Sequence, residues 1–171
     1  KIYNGRPAVD KLSLAVNEGE IFGFLGPNGA GKTTTLLMLL GLTQPTSGTA
    51  KVLGLDPSRE PIKVKSKIGY LKENMGFYSD LDARQMLRFI AELNGFSGNH
   101  ATERIDGALE TVGLLTEASK KIAFYSRGMR QRLGIAELLI KDSKVAFLDE
   151  PTLGLDPDAT NRMIELIQSL C

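Results

Sequence analysis

The residues best suited to chemistry are the run Gly26, Pro27, Asn28, Gly29, Ala30, Gly31, Lys32, Thr33 and Thr34. They fit the pattern G-x-x-x-x-G-K-[ST]. Glycines in such a run let the backbone wrap tightly, so successive N–H groups turn inward toward an anion. A helix starting there points its positive end at the same anion. Lys32 adds a full charge near the β- and γ-phosphates of a nucleotide, and the Thr33 hydroxyl can ligate Mg²⁺. The chemistry is the binding of a nucleoside triphosphate. A glycine-rich turn without ligand is the alternative.

A second pair of groups stands at Asp149 and Glu150, directly after the apolar run Val145-Ala146-Phe147-Leu148. A strand ending in acids puts them at the carboxyl edge of a sheet, where open α/β folds bind ligands. Asp149 is suited to holding Mg²⁺ and Glu150 to polarising an attacking water. Alone, the pair could be solvated acids in a turn. Beside the phosphate loop it completes a hydrolytic Mg·ATP set, with Mg²⁺ and Lys32 offsetting the repulsion among carboxylates and phosphates.

The elements around these residues can be read from periodicity. Residues 20–25 predict a short buried strand entering the loop, and residues 34–40 a packed helix leaving it. Residues 2–16 alternate weakly, 17–20 form a turn, and 49–53 and 68–71 read as strands. Gly41 suits the end of the first helix and 45–48 a turn. Asp82-Ala83-Arg84-Gln85 resembles a capping box opening a helix that ends near Gly95. Residues 96–100 read as a loop. Ile105, Leu109, Val112 and Leu115 mark a second helix, and residues 129–140 a third. Residues 144–148 predict a buried parallel strand, and Asp156 with Pro157 opens a last helix. The order predicts an α/β core with a helical insertion.

Composition bounds the rest. The 171 residues are 42% hydrophobic and 24% charged, with a net charge of +1. That length suits one domain, and the charge gives no reason to expect nucleic acid as a partner. Cys171 is the single cysteine, so no internal disulfide can form, which fits a reducing compartment. The longest apolar run, near residues 36–42, is too short to span a bilayer. No Asn-Lys-x-Asp guanine-reading run occurs, which disfavours a GTPase.

Tyr125-Ser126-Arg127-Gly128-Met129-Arg130-Gln131-Arg132-Leu133 decides among the remaining ATPases. Here the chain resembles the nucleotide-binding domain of ABC (ATP-binding cassette) proteins over nearly its whole length. Residues 126–129 match the signature loop, usually Leu-Ser-Gly-Gly-Gln. Ser126 and Gly128 remain, while Tyr125, Arg127 and Met129 depart from it. The resemblance implies that Ser126 and Gly128 contact the γ-phosphate held by the opposite subunit; without it they would be a serine-capped helix start. Leu153-Gly154-Leu155-Asp156-Pro157 is similar to the D-loop, which places Asp156 at the dimer interface. Residues 68–73 resemble the Q-loop strand, with Glu73 where the family has Gln. Glu73 could hold water near Mg²⁺. Tyr3 stands where the family stacks an aromatic on adenine; a partly buried edge-strand tyrosine is the alternative. His100 reads as a bland surface histidine.

The resemblance implies a P-loop NTPase core with a mostly parallel sheet, an N-terminal antiparallel β portion and a helical subdomain at about residues 80–120, all within one domain over 1–171. It implies ATP and Mg²⁺ as cofactors, a dimer of cassettes and a membrane permease partner on the cytoplasmic face. The variant motifs look most like drug-exporter ATPase subunits. Lys32 and Glu150 would be catalytic. The family's next motif carries a histidine on the γ-phosphate, and the chain stops before it, so the chain reads as part of a longer domain clipped at both ends. Two alternatives stand: a soluble ABC ATPase acting on nucleic acid or ribosomes, and a binding-competent but hydrolytically impaired piece.

Overall fold

The computed structural model describes residues 1–73 and 75–170. Cys171 lies outside the described residues. The chain divides into two compact units, Lys1–Ile68 and Gly69–Leu170.

In the first unit, β1 (Ile2–Tyr3) and β2 (Arg6–Pro7) pair antiparallel, with Ile2 opposite Pro7 and Tyr3 opposite Arg6. The turn between them needs left-handed backbone at both central residues. Asn4 (φ 48°) and Gly5 (φ 75°) supply it at little cost. The first helix, α1 (Lys32–Leu39), ends in a Schellman motif. Leu42 N–H donates to Leu37 O at 2.9 Å, and Gly41 N–H donates to Met38 O at 3.1 Å. Gly41 is required twice over: φ is 65°, and an added Cβ would meet Pro57 O at 2.6 Å. A short helix, α2 (Pro61–Lys65), follows, and Met38, Leu40, Val52 and Val64 are among the buried side chains of this unit.

Three expectations fail in this unit. Residues 20–25 are irregular rather than a strand, and Ile21, Phe22 and Leu25 are 50%, 46% and 91% exposed. A strand needs a neighbour to bind its N–H and C=O groups, and no ladder partner is assigned to these residues among the described ones. Residues 49–53 are not a strand either. Leu53 (φ 51°) and Gly54 (φ 77°) reverse the chain, and Val52 and Leu55 exchange both backbone hydrogen bonds, at 2.9 and 3.0 Å. A tight turn thereby meets locally the bonds a strand would seek elsewhere. Of the weak alternation over 2–16, only the short β1–β2 pair forms a ladder.

The second unit holds β4 (Val145–Leu148), β3 (Ile68–Leu71) from its second residue on, the two strands being paired in parallel, and, among the described residues, four α-helices. These are α3 (Ala83–Leu93), α4 (Gly98–Thr111), α5 (Arg127–Lys141) and α6 (Pro157–Ser169). The capping box at α3 is complete. Gln85 N–H donates to Asp82 Oδ1 at 2.8 Å, and Asp82 N–H donates to Gln85 Oε1 at 3.0 Å. Asp156 caps α6 by accepting from Ala159 N–H at 2.8 Å. Helices α3, α4 and α5 pack on one another around Leu87, Ala91, Ile105, Leu109, Leu133, Ala136 and Ile140.

Two boundaries differ from expectation. Gly98, Asn99 and His100 belong to the first turn of α4 rather than to a loop, and Leu115 falls in a separate 3₁₀ turn. β4 forms where expected but is half-buried, with Ala146 exposed, because β3 is its only strand neighbour among the described residues.

Candidate functional site

Residues 26–31 form an exposed loop that runs straight into α1. Gly29 (φ 82°) and Gly31 (φ 88°) are left-handed, and Gly31 is the residue before the first helical turn. At Gly31 nothing larger fits: a Cβ would meet Ala8 O at 2.4 Å and Val9 Cγ2 at 2.9 Å. Lys32 is the first residue of α1, and its ammonium folds back to donate to Gly26 O at 2.7 Å and Pro27 O at 3.2 Å. The lysine thus closes the loop that precedes it. Thr35 locks the helix start, its hydroxyl donating to Gly31 O at 2.9 Å. Thr33 is exposed and Thr34 half-buried at the same turn. The first unit therefore brings the whole predicted run, Gly26 to Thr34, to one helix N-terminus. Tyr3 stands on β1, 43% exposed, with Lys1 Nζ 4.7 Å from its ring centroid.

The acidic pair lies in the second unit. Asp149 follows β4 and is tied to β3 twice. Its N–H donates to Leu71 O at 2.9 Å, and its Oδ2 accepts from Tyr70 Oη at 3.2 Å. Burial pushes the Tyr70 hydroxyl up to about 12, and the neighbouring Asp149 charge and hydrogen bond push the same way. Glu150 is exposed and holds a left-handed backbone (φ 51°), uncommon for a side chain of its size. Its carbonyl accepts from Leu153 N–H at 3.1 Å, which starts the turn over residues 151–154. Glu73 is exposed beyond the end of β3.

The run at 126–129 opens α5. Ser126 caps it, accepting from Met129 N–H at 3.2 Å. Three α5 residues face the turn that follows the acids. The Arg127 guanidinium lies on Gly154, Gly128 faces Leu155, and Gln131 Nε2 makes a long 3.5 Å contact to Leu153 O. Ser126, Gly128 and Asp156 line one cavity of about 670 Å³ together with Arg127, Arg132 and Arg162. Tyr125 belongs to the helical core. It is buried and donates to Glu117 O at 2.8 Å, so its departure from the usual Leu serves the helical core. His100 is exposed, its ring 5.5 Å from that of Phe96.

Two groups escape sequence reasoning. The Tyr70 hydroxyl on Asp149 depends on strand pairing, and only the polar tip of an aromatic three residues before Glu73 hints at it. Glu137, midway along α5, has an Oε1 atom out of solvent and without a hydrogen-bond partner. Burial pushes its carboxyl up to about 7. An acid among apolar helix neighbours is the only signal for it.

Oxygen chemistry at Thr33 and Asp149 suits a hard cation. Among the described residues no group of three or more His, Cys, Asp or Glu could hold a metal unaided. A magnesium ion that arrives with a nucleotide needs only one or two protein oxygens beside the phosphates, and Thr33 in the first unit and Asp149 in the second each carry an oxygen of that kind.

Comparison with known proteins sharpens these observations. The family profile described as ABC transporter matches residues 9–153. The bacitracin transport ATP-binding protein BcrA of Bacillus licheniformis is 45% identical over 170 residues, covering 99% of this chain and 55% of that protein. The daunorubicin/doxorubicin resistance ATP-binding protein DrrA of Streptomyces peucetius is 39% identical over 170 residues, covering 99% and 52%. The chain spans about half the length of the curated relatives it matches. Among solved structures, cbiO1 from Clostridium perfringens, part of the ABC transporter complex cbiONQ, aligns with a TM-score of 0.77 at 28% identity, covering 85% of this chain and 60% of that one.

Proposed function

Because the chain belongs to the ABC transporter ATP-binding family, we propose that it binds Mg·ATP and couples its hydrolysis to transport through a separate membrane subunit. Its fold is that of the P-loop NTPases, and members of the family bind ATP. The observation that carries the proposal is the closed loop at Gly26–Gly31 opening directly into α1, with Lys32 as its first helical residue.

In this proposal the loop N–H groups, the helix end and Lys32 hold the phosphates. Tyr3 stacks on the adenine. Thr33 and Asp149 would hold Mg²⁺, and Glu73 a water beside it; the bound ion neutralises phosphate charge. Glu150 orients and polarises the attacking water. Ser126 and Gly128 offer a capped helix start to the nucleotide of a second copy, with Asp156 at that interface. Positioning and electrostatics then supply most of the acceleration. No helix among the described residues is long and apolar enough to cross a membrane. In this proposal a separate permease chain spans the membrane, and this chain meets it on the cytoplasmic side. The drug-exporter variety is favoured by the likeness to DrrA. The helices at about residues 80–120 would form the subdomain that meets the permease, within one ATP-binding domain.

The proposal is tested by phosphate release from Mg·ATP, wild type against Glu150→Gln. Faster release by wild type, by tenfold or more, is expected; equal rates contradict the hydrolytic role. Co-purification with a membrane subunit is expected too, and stable association with ribosomes or DNA overturns the transport role.

A further inference from the structure

We propose that Tyr70 is a positioning residue for Asp149 and sets which carboxylate oxygen is offered to the nucleotide's cation. This rests on the assignment of Asp149 to Mg²⁺ made above. The geometry behind it is a double tether. Two consecutive residues of β3 hold Asp149, Leu71 through its backbone carbonyl at 2.9 Å and Tyr70 through its hydroxyl at 3.2 Å. The backbone bond fixes where Asp149 leaves the sheet. It cannot fix the rotation of the carboxylate about the side-chain torsions, which are soft for a terminal carboxyl group. The Tyr70 hydroxyl restricts that rotation by donating to Oδ2, over a long 3.2 Å. Oδ1 is thereby presented in one orientation.

Partners that orient a metal-binding carboxylate act in this way in general, and losing one weakens metal affinity by about tenfold or more. Tyrosine is suited to the task here. Its ring is half-buried beside the sheet, so the hydroxyl is delivered by a stiff support with few rotatable bonds. Its reach also lets β3 contribute to the site from a strand that carries no acid of its own.

The test is Tyr70→Phe in the 171-residue chain, which removes one oxygen and keeps the ring. Binding of a fluorescent ATP analogue is measured without metal and across a Mn²⁺ titration, beside the melting temperature. Tyr70→Phe is expected to bind the metal-free analogue within about twofold of wild type, while needing about tenfold more Mn²⁺ for half-maximal enhancement of binding. A purely structural tyrosine would lower the melting temperature and leave the Mn²⁺ requirement unchanged, and that result overturns the inference. Asp149→Asn is measured alongside. If it leaves the Mn²⁺ requirement where wild type has it, Asp149 does not hold the cation, and the assignment and the inference fall together. If Asp149→Asn raises the requirement and Tyr70→Phe does not, the inference alone fails.

Discussion

The guanidinium of Arg127 lies against Gly154, where an added Cβ would come within 2.7 Å of Nη1. This contact joins the first turn of α5 to the turn after the acidic pair, and Arg127 departs from the usual signature loop there. Gly154 has φ 71°, so two effects compete when a side chain is added. The flexible tip of an arginine can move aside cheaply, whereas the backbone cannot. Gly154→Ala is therefore expected to cost about 1 kcal/mol of stability. Adding Arg127→Ala should not recover it, leaving a coupling below about 0.5 kcal/mol in a double-mutant cycle by urea denaturation. Full recovery would show that the clash, not the backbone, sets the cost.

Glu137 makes the fold sensitive to pH. Its folded value is raised to about 7 from an ordinary 4.5 because burial disfavours the charged form. A group raised on folding supports the fold below its unfolded value and withdraws that support as pH climbs through the folded one. The window is therefore about pH 4.5 to 7. Across it wild type should lose on the order of 3 kcal/mol relative to Glu137→Gln. The two proteins should be near equal at pH 4.5, and the variant clearly more stable at pH 8. Parallel stability curves would contradict a carboxyl whose Oε1 is out of solvent and without a partner.

Glu150 carries backbone strain as well as the proposed chemistry. Its φ of 51° suits glycine better than glutamate. Glu150→Gly relieves that strain, and Glu150→Gln keeps it. Both lose the carboxylate, so the comparison isolates the backbone. Glu150→Gly is expected to be more stable than Glu150→Gln by about 0.5 kcal/mol, the relief being partly offset by glycine's added freedom in the unfolded chain. A less stable glycine variant would mean that the left-handed conformation is not strained at this position.

What was legible in the sequence follows from how local each signal is. The caps at Asp82, Ser126 and Asp156 involve residues three apart, and all three form as the sequence implies. The Gly41 helix end and the helix leaving the phosphate loop are equally local. Strands are not local. Residues 20–25 have the apolar character of a strand but no assigned ladder partner among the described residues, and residues 49–53 close on themselves through Leu53 and Gly54. Residues 96–100 read as a loop, yet Ser97 takes the extended conformation of a helix cap and α4 begins at Gly98. The Tyr70–Asp149 bond joins residues 79 apart, and the burial of Glu137 depends on what packs over α5; neither follows from residues adjacent in the chain.

The central claim is that the loop at Gly26–Thr34 holds the phosphates of ATP through Lys32. Isothermal titration of the chain with Mg·ATP, wild type against Lys32→Ala, tests it most directly. Saturable binding by wild type is expected, weakened at least tenfold by Lys32→Ala, since a charge-assisted contact to phosphate is worth about 1.5–3 kcal/mol. Equal affinity in the two proteins, or no saturable binding by wild type, would contradict it.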